Sequence, residues 1–180
     1  MLLKVNNRLQ LKPIGLEDAP LIFQTIDSQR VYLGEWLPFV AFTKTQQDTE
    51  EFIRSISVQY QQPSSIVYTI LYDDNFAGLI GFKEIDRSNS RAELGYWLSE
   101  LYQKNGIATT CTKYLCNHAF NLMGMNRIQI KCATQNVKSQ QVPVRLNFAL
   151  EGVERQGERF SNDRFVDLNV YSRLKCDGNL

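Results

Sequence analysis

The sequence predicts a mixed α/β fold in one domain over residues 1–180, built on a mainly antiparallel sheet with a central parallel pair. Three observations predict it. Three β-rich runs follow one another between Ser65 and Leu98 with only short turns between them, the pattern of an antiparallel meander. A long helical pattern then separates the last of them from another alternating run at 126–134, and a strand–helix–strand unit requires parallel strands. Two further β-rich runs, 148–160 and 164–174, close the chain as a hairpin around the turn Ser161-Asn162-Asp163.

Taken in order, Arg8-Leu9-Gln10-Leu11-Lys12 alternates polar and apolar residues and reads as a strand stopped by Pro13. A helix opens at Leu16-Glu17-Asp18-Ala19 and places Leu21, Ile22, Thr25 and Ile26 on one face. Residues 31–42 are aromatic and apolar without a clean period, and Gly34 and Pro38 interrupt any regular element. They are expected as a loop that packs under the domain or lines a groove, with Trp36 the candidate groove wall. Thr45-Gln46-Gln47-Asp48 begins a second helix bearing Phe52, Ile53, Ile56 and Tyr60, ended by Pro63 and Ser64. In the meander, Gly78 and Gly81 mark a bulge or close packing.

The helix after the meander carries Ala108, Cys111, Leu115, Ala119 and Leu122 at spacings of three and four, an amphipathic stripe for a sheet face, with Gly124 as its C′ residue. His118 flanks that stripe and is read as structural. A short helix is expected from Ser139 to Asn147, with Ser139 as N-cap so that Pro143 falls at the end of the first turn.

The stretch with the clearest chemistry is Leu98 to Thr110, where a strand feeds the long helix through a polar loop ending Gly106-Ile107-Ala108. Such a junction aims several backbone N–H groups and the positive end of the helix dipole at one spot. Small residues there let an anion approach the backbone.

Composition narrows the function. A net charge of +1 argues against general attraction to nucleic acid or acidic membranes, and no apolar run approaches the roughly 20 residues that span a bilayer. The N-terminus lacks the apolar core of a signal peptide, and the four cysteines are expected as free thiols, so a cytoplasmic protein is expected. Cys111, Cys116, Cys132 and Cys176 form no CxxC pair and His118 has no partner histidine, which argues against a zinc site or any other metal. A Ser-His-Asp or Cys-His arrangement would have to use His118, which sits in a helix pattern with no serine or acid motif beside it.

The element order, with the small-residue loop between the third meander strand and the long helix, resembles the GNAT acyl-CoA N-acyltransferase fold. Gln103-x-x-Gly106-x-Ala108 is similar to that family's pyrophosphate signature, and here it has the strand before it and the helix after it that the motif requires. Ala92-Glu93-Leu94-Gly95-Tyr96-Trp97-Leu98, Lys131 to Asn136 with Ser139, and Phe148-x-Leu150-Glu151-Gly152 resemble the RimJ/RimL branch, the ribosomal-protein-serine acetyltransferase-like enzymes that acetylate N-terminal amines of ribosomal proteins. Glu158, Asn162-Asp163 and Val166 to Tyr171 extend the likeness to the C-terminus. Two positions depart from the pattern. Asn147-Phe148 stands where many relatives have Gly-Phe, so Asn147 must supply the turn, and Asn tolerates positive φ better than most residues. Pro143 stands where other GNAT enzymes carry a tyrosine general acid.

The resemblance implies acetyl-CoA as acyl donor and an amine acceptor, with a protein N-terminus as the expected partner and a homodimer as a possible assembly. Lys104, Asn105, Gly106, Ile107, Ala108 and Thr109, with Gln103, would hold the pyrophosphate. The pantetheine would pair with the edge of Tyr96-Trp97-Leu98 where that strand splays from the next, and an N–H near Leu98 would stabilise the oxyanion. Glu158 is the first expected base, matching the Rim-type carboxylate, and Glu93 the second. Ser139 is expected to assist the departing thiolate, and Asn136 to bond the pantetheine or adjoining backbone. The acceptor would meet residues 31–42, including Trp36, and the 155–165 hairpin, including Glu158. Two other readings stand beside this one: an acetyltransferase for a polyamine, aminoglycoside or toxin, and a CoA-binding regulator without turnover.

Overall fold

A computed structural model describes residues 2–57, 64–161 and 163–178. Its sheet has eight strands: β1 (Leu3–Lys4), β2 (Leu9–Pro13), β3 (Ile66–Tyr72), β4 (Asn75–Asp86), β5 (Arg91–Leu98), β6 (Arg127–Ala133), β7 (Ala149–Arg159) and β8 (Phe165–Leu174). Their order is β1-β2-β3-β4-β5-β6-β8-β7, and every pair is antiparallel except β5–β6. The helices are α1 (Ala19–Ser28), α2 (Arg30–Gly34), α3 (Gln46–Ser57), α4 (Ile107–Leu122) and α5 (Val137–Arg145).

The sheet is covered on both faces. Central β4 is accordingly buried along a continuous run instead of alternating. On one face α4 lays down Ile107, Cys111, Leu115 and Ala119, all almost fully buried against Leu11, Ile70 and Ile128. On the other, Ile22 and Ile26 of α1 and Ile53 of α3 pack with Phe76, Leu79 and Trp97. The start of α3 is fastened reciprocally: the Thr45 N–H donates to Asp48 (2.7 Å) and the Asp48 N–H to the Thr45 hydroxyl (3.3 Å). Its expected end at Tyr60 and Pro63 lies outside the described residues.

Gly78 and Gly81 are close-approach positions, and a one-residue bulge accompanies the first. A Cβ on Gly78 would lie 2.1 Å from the Trp97 carbonyl oxygen, and one on Gly81 2.2 Å from that of Ile66. Asn147 takes φ 54°, as its place before Phe148 requires, and Gly124 ends α4 at φ 70°.

Two expectations are corrected. Residues 31–42 are not irregular throughout: α2 and a 3₁₀ turn at Pro38–Ala41 bury Leu33 and Val40. Gly34 and Pro38 divide the segment into two short helical pieces, because each piece needs only one turn and Pro38 sits at the first position of the second. The other correction is α5, which begins at Val137 with Asn136, not Ser139, as its N-cap; the Asn136 side-chain oxygen accepts the Ser139 N–H at 3.1 Å. Pro143 therefore lies inside the helix.

Candidate active site

Strands β5 and β6 are in register only at Arg91/Arg127, Ala92/Ile128 and Glu93/Gln129. Beyond Glu93 they separate, so the β5 edge from Leu94 to Leu98 faces a gap instead of a partner strand. On its other edge β5 stays paired with β4 as far as Leu98, helped by the absent side chain of Gly78. A cavity of about 500 Å³ runs through the opening, lined by Tyr96, Trp97, Cys132, Asn136 and Ser139 on the splayed side. Trp36, Phe39, Phe52, Glu158 and Phe160 line its far side.

At the open end, the chain leaves β5 through a 3₁₀ turn at Glu100–Tyr102 and reaches α4 with Lys104 at φ 64° and Gly106 at φ 71°. No side chain caps α4. Among the described residues, none of the backbone N–H groups from Lys104 to Thr109 has an acceptor, and the first to find one is Thr110, bonded to Gly106 O at 2.9 Å. Alternating left-handed residues before an uncapped helix form a concave set of donors suited to phosphate oxygens.

Gln103 faces elsewhere. Its side-chain N–H₂ donates to the Tyr32 hydroxyl, which in turn donates to the Leu98 carbonyl at 3.2 Å. Gln29 completes the brace, donating to the Ser99 hydroxyl at 3.0 Å and accepting the Glu100 N–H at 2.9 Å. Asn105 is spent on the Gln103 carbonyl, at 3.1 Å. The aromatic segment after α1 thus fixes the loop as well as walling the cavity. Tyr32 and Gln29 carry no local signal of this role, since their partners lie about 70 residues away.

The two expected bases occupy different settings. Glu93, at the closed end, is absent from the cavity wall; its carboxylate accepts from Gln129 at 3.1 Å and meets Lys83 and Lys131 at 3.4 and 3.5 Å. Glu158 lies on the wall, and its carboxylate has no hydrogen bond or ion pair among the described residues. A register shift between Glu154 and Glu158 inserts two extra residues in β7 relative to β8, and the Gln156 N–H is tied to Asp167 at 2.8 Å. The bulge carries Glu158 over the gap to sit opposite Val166.

On the splayed side, Ser139 Oγ lies 3.3 Å from both the Tyr96 hydroxyl and Cys132 Sγ. Burial pushes the Tyr96 phenol well above its ordinary range and the Cys132 thiol upward, so both keep their protons near neutrality. Lys83 and Lys131 reach the same cavity, and the sequence offered no sign of that. Lys131 is neutralised mainly by Glu154, at 2.8 Å.

The acetyltransferase (GNAT) domain pattern matches residues 8–149 of this chain. The chain belongs to the GNAT acetyltransferase family. Its splayed parallel pair is the GNAT fold, and the protein is an acetyltransferase. It is 31% identical over 172 residues to the ribosomal-protein-serine acetyltransferase of Escherichia coli strain K12, covering 96% of each chain. It is 34% identical over 174 residues to the putative ribosomal N-acetyltransferase YdaF of Bacillus subtilis strain 168, covering 96% of this chain and 94% of that one. Among solved structures of this GNAT fold, RimL, a ribosomal L7/L12 alpha-N-protein acetyltransferase in complex with coenzyme A, superposes with a TM-score of 0.91 at 27% identity, over 97% and 98% of the two chains. Among the described residues no helix is long and apolar enough to cross a membrane, and no group of histidines, cysteines and acids could hold a metal.

Proposed function

We propose that the whole chain, as one domain, transfers the acetyl group of acetyl-CoA to the N-terminal amine of a protein, a ribosomal protein by likeness to its relatives. The observation that carries this reading is the unpartnered Glu158 carboxylate, in one cavity with Ser139 and the free β5 edge. The N–H groups of Lys104 to Thr109 would take the pyrophosphate, with Lys104 adding charge, and the edge at Tyr96-Trp97-Leu98 would take the pantetheine. Asn136 contributes by capping α5 and so placing Ser139.

The chemistry is then modest for each group. A terminal amine of pKa about 7.7–8.0 is roughly a tenth neutral near pH 7. Its nitrogen attacks the thioester carbonyl, a C–N bond forms, and the C–S bond breaks. Glu158 receives the proton that the nitrogen sheds, directly or through water, a step worth ~10²–10⁴-fold. The departing sulfur, a thiolate of pKa near ~8.5, accepts a hydrogen bond from Ser139 Oγ and takes its proton from solvent to leave as the product thiol, while Glu158 returns its proton to solvent. Trp36 would wall the acceptor. Glu93 serves as a brace between two lysines rather than as the base.

A cytoplasmic location follows from a ribosomal-protein acceptor, and the exposed edge strand β7 leaves room for a homodimer. The test is acetyl-CoA turnover with a serine-starting peptide against a panel of polyamines. Turnover of the peptide is expected. Turnover of a polyamine alone would overturn the acceptor assignment, and turnover of neither would overturn the activity.

A further inference from the structure

Pro143 has no N–H, so the carbonyl of Ser139, four residues earlier, lacks its donor within α5. That carbonyl is served from outside the helix: the Tyr96 hydroxyl, on β5 across the splay, donates to it at 3.0 Å. The same phenol oxygen lies 3.3 Å from Ser139 Oγ and accepts its hydrogen bond in the resting site, which fixes Oγ while leaving its one hydrogen able to turn toward a departing sulfur by rotation about Cβ–Oγ. One hydroxyl therefore holds both oxygens of a single residue, and it ties β5 to α5 across the opening. A serine hydroxyl has three staggered rotamers, and an N3 serine on a helix otherwise has no reason to keep one of them. Cys132 Sγ, at 3.3 Å, supplies a second fixed neighbour.

We infer that Tyr96 is a positioning residue for Ser139, and that Pro143 makes this possible by freeing the Ser139 carbonyl. The inference rests on the proposed role of Ser139 at the departing sulfur. This chain thus has a proline inside the helix and a tyrosine reaching the same helix from a neighbouring strand. Tyr96 need not give up its proton; it holds Oγ at the place where the sulfur leaves, and in-line placement of a catalytic group is worth orders of magnitude in rate.

The test is a kinetic cycle on the full chain with acetyl-CoA and a serine-starting peptide. Tyr96→Phe, which removes only the hydroxyl, is expected to lower kcat about tenfold while KM for acetyl-CoA stays within about threefold. Ser139→Ala is expected to lower kcat at least as much, and the double variant no further, because the two act as a unit. Pro143→Ala guards against a folding artefact: it restores a helix N–H and removes a poor helix former, so Tm should hold or rise while kcat falls. Tyr96→Phe within twofold of the parent, with Ser139→Ala impaired, would overturn this inference alone, as would additive losses in the double variant or an unchanged kcat in Pro143→Ala. Ser139→Ala at full activity would overturn the reading of Ser139 itself.

Discussion

Strand β5 has two ends that face β6 in opposite ways. From Arg91 to Glu93 it is in register with Arg127 to Gln129, and the seam is braced by side chains: Glu93 with Gln129, Lys83 and Lys131, and beside them Arg127 with Glu151 at 2.6 Å. From Tyr96 to Leu98 the β6 partner is missing, and the neighbourhood is rich in unpaired backbone, in the strand edge and in the six N–H groups before Thr110. The comparison separates two jobs that look alike in the sequence. A carboxylate held by two ammonium groups and an amide is a cross-brace, whereas a carboxylate with no partner, across a gap lined by a hydroxyl and a free strand edge, is available for proton transfer.

The sharpest way to break this contrast is to neutralise each carboxylate. Glu158→Gln should lower kcat ~10²-fold or more with little change in Tm. Glu93→Gln should leave kcat within about fivefold and cost ~1 kcal/mol of stability in denaturant titrations, since it leaves two lysines without their shared acid. A reversed ranking in the two rates would exchange the roles assigned to the two ends.

Glycine substitutions probe the backbone side of the same contrast. Gly78→Ala drives a Cβ to 2.1 Å from the Trp97 carbonyl at φ 151° and should destabilise the fold by about 3 kcal/mol, because the edge that keeps β5 in place is the one disturbed. Gly106→Ala meets open space and only the strain of φ 71°, so about 1 kcal/mol is expected, together with a several-fold rise in KM for acetyl-CoA. Equal stability losses at the two positions would show that the loop before α4 is as closely packed as the β4–β5 seam.

The smallest effect lies away from the seam. Burial pushes the thiols of Cys111 and Cys116, on the buried side of α4, up to about 12. Folding therefore holds their protons, and the associated stability is complete below the ordinary thiol pKa near 9 and is lost as pH rises toward 12. At pH 8 an alkylating agent should label exposed Cys176 first, read by peptide mass, while Cys111 and Cys116 stay unmodified until the protein unfolds.

Much of the proposed donor side was legible in the sequence because it depends on local order. A strand, a small-residue loop and an amphipathic helix at 92–122 determine where N–H groups point, and the positive φ of Asn147 was expected because the resembling family often has Gly at its place. The start of α5 was misplaced because Asn136 and Ser139 are both good caps three residues apart, and nothing local decides between them. The acceptor side was less legible. Glu158 reaches the cavity through a two-residue bulge in a hairpin, and Lys83, Tyr32 and Gln29 act through partners distant in sequence. Tyr96 stood within a recognisable motif, but its hydroxyl found a use only once Pro143 was seen to lie inside a helix.

Amide hydrogen exchange with and without acetyl-CoA reads whether the open end of β5–β6 and the start of α4 form the donor site. Protection should rise at Lys104 to Thr109 and along Tyr96 to Leu98, and stay unchanged at Arg91 to Glu93. Binding of acetyl-CoA with no added protection at Lys104 to Thr109 would contradict the account.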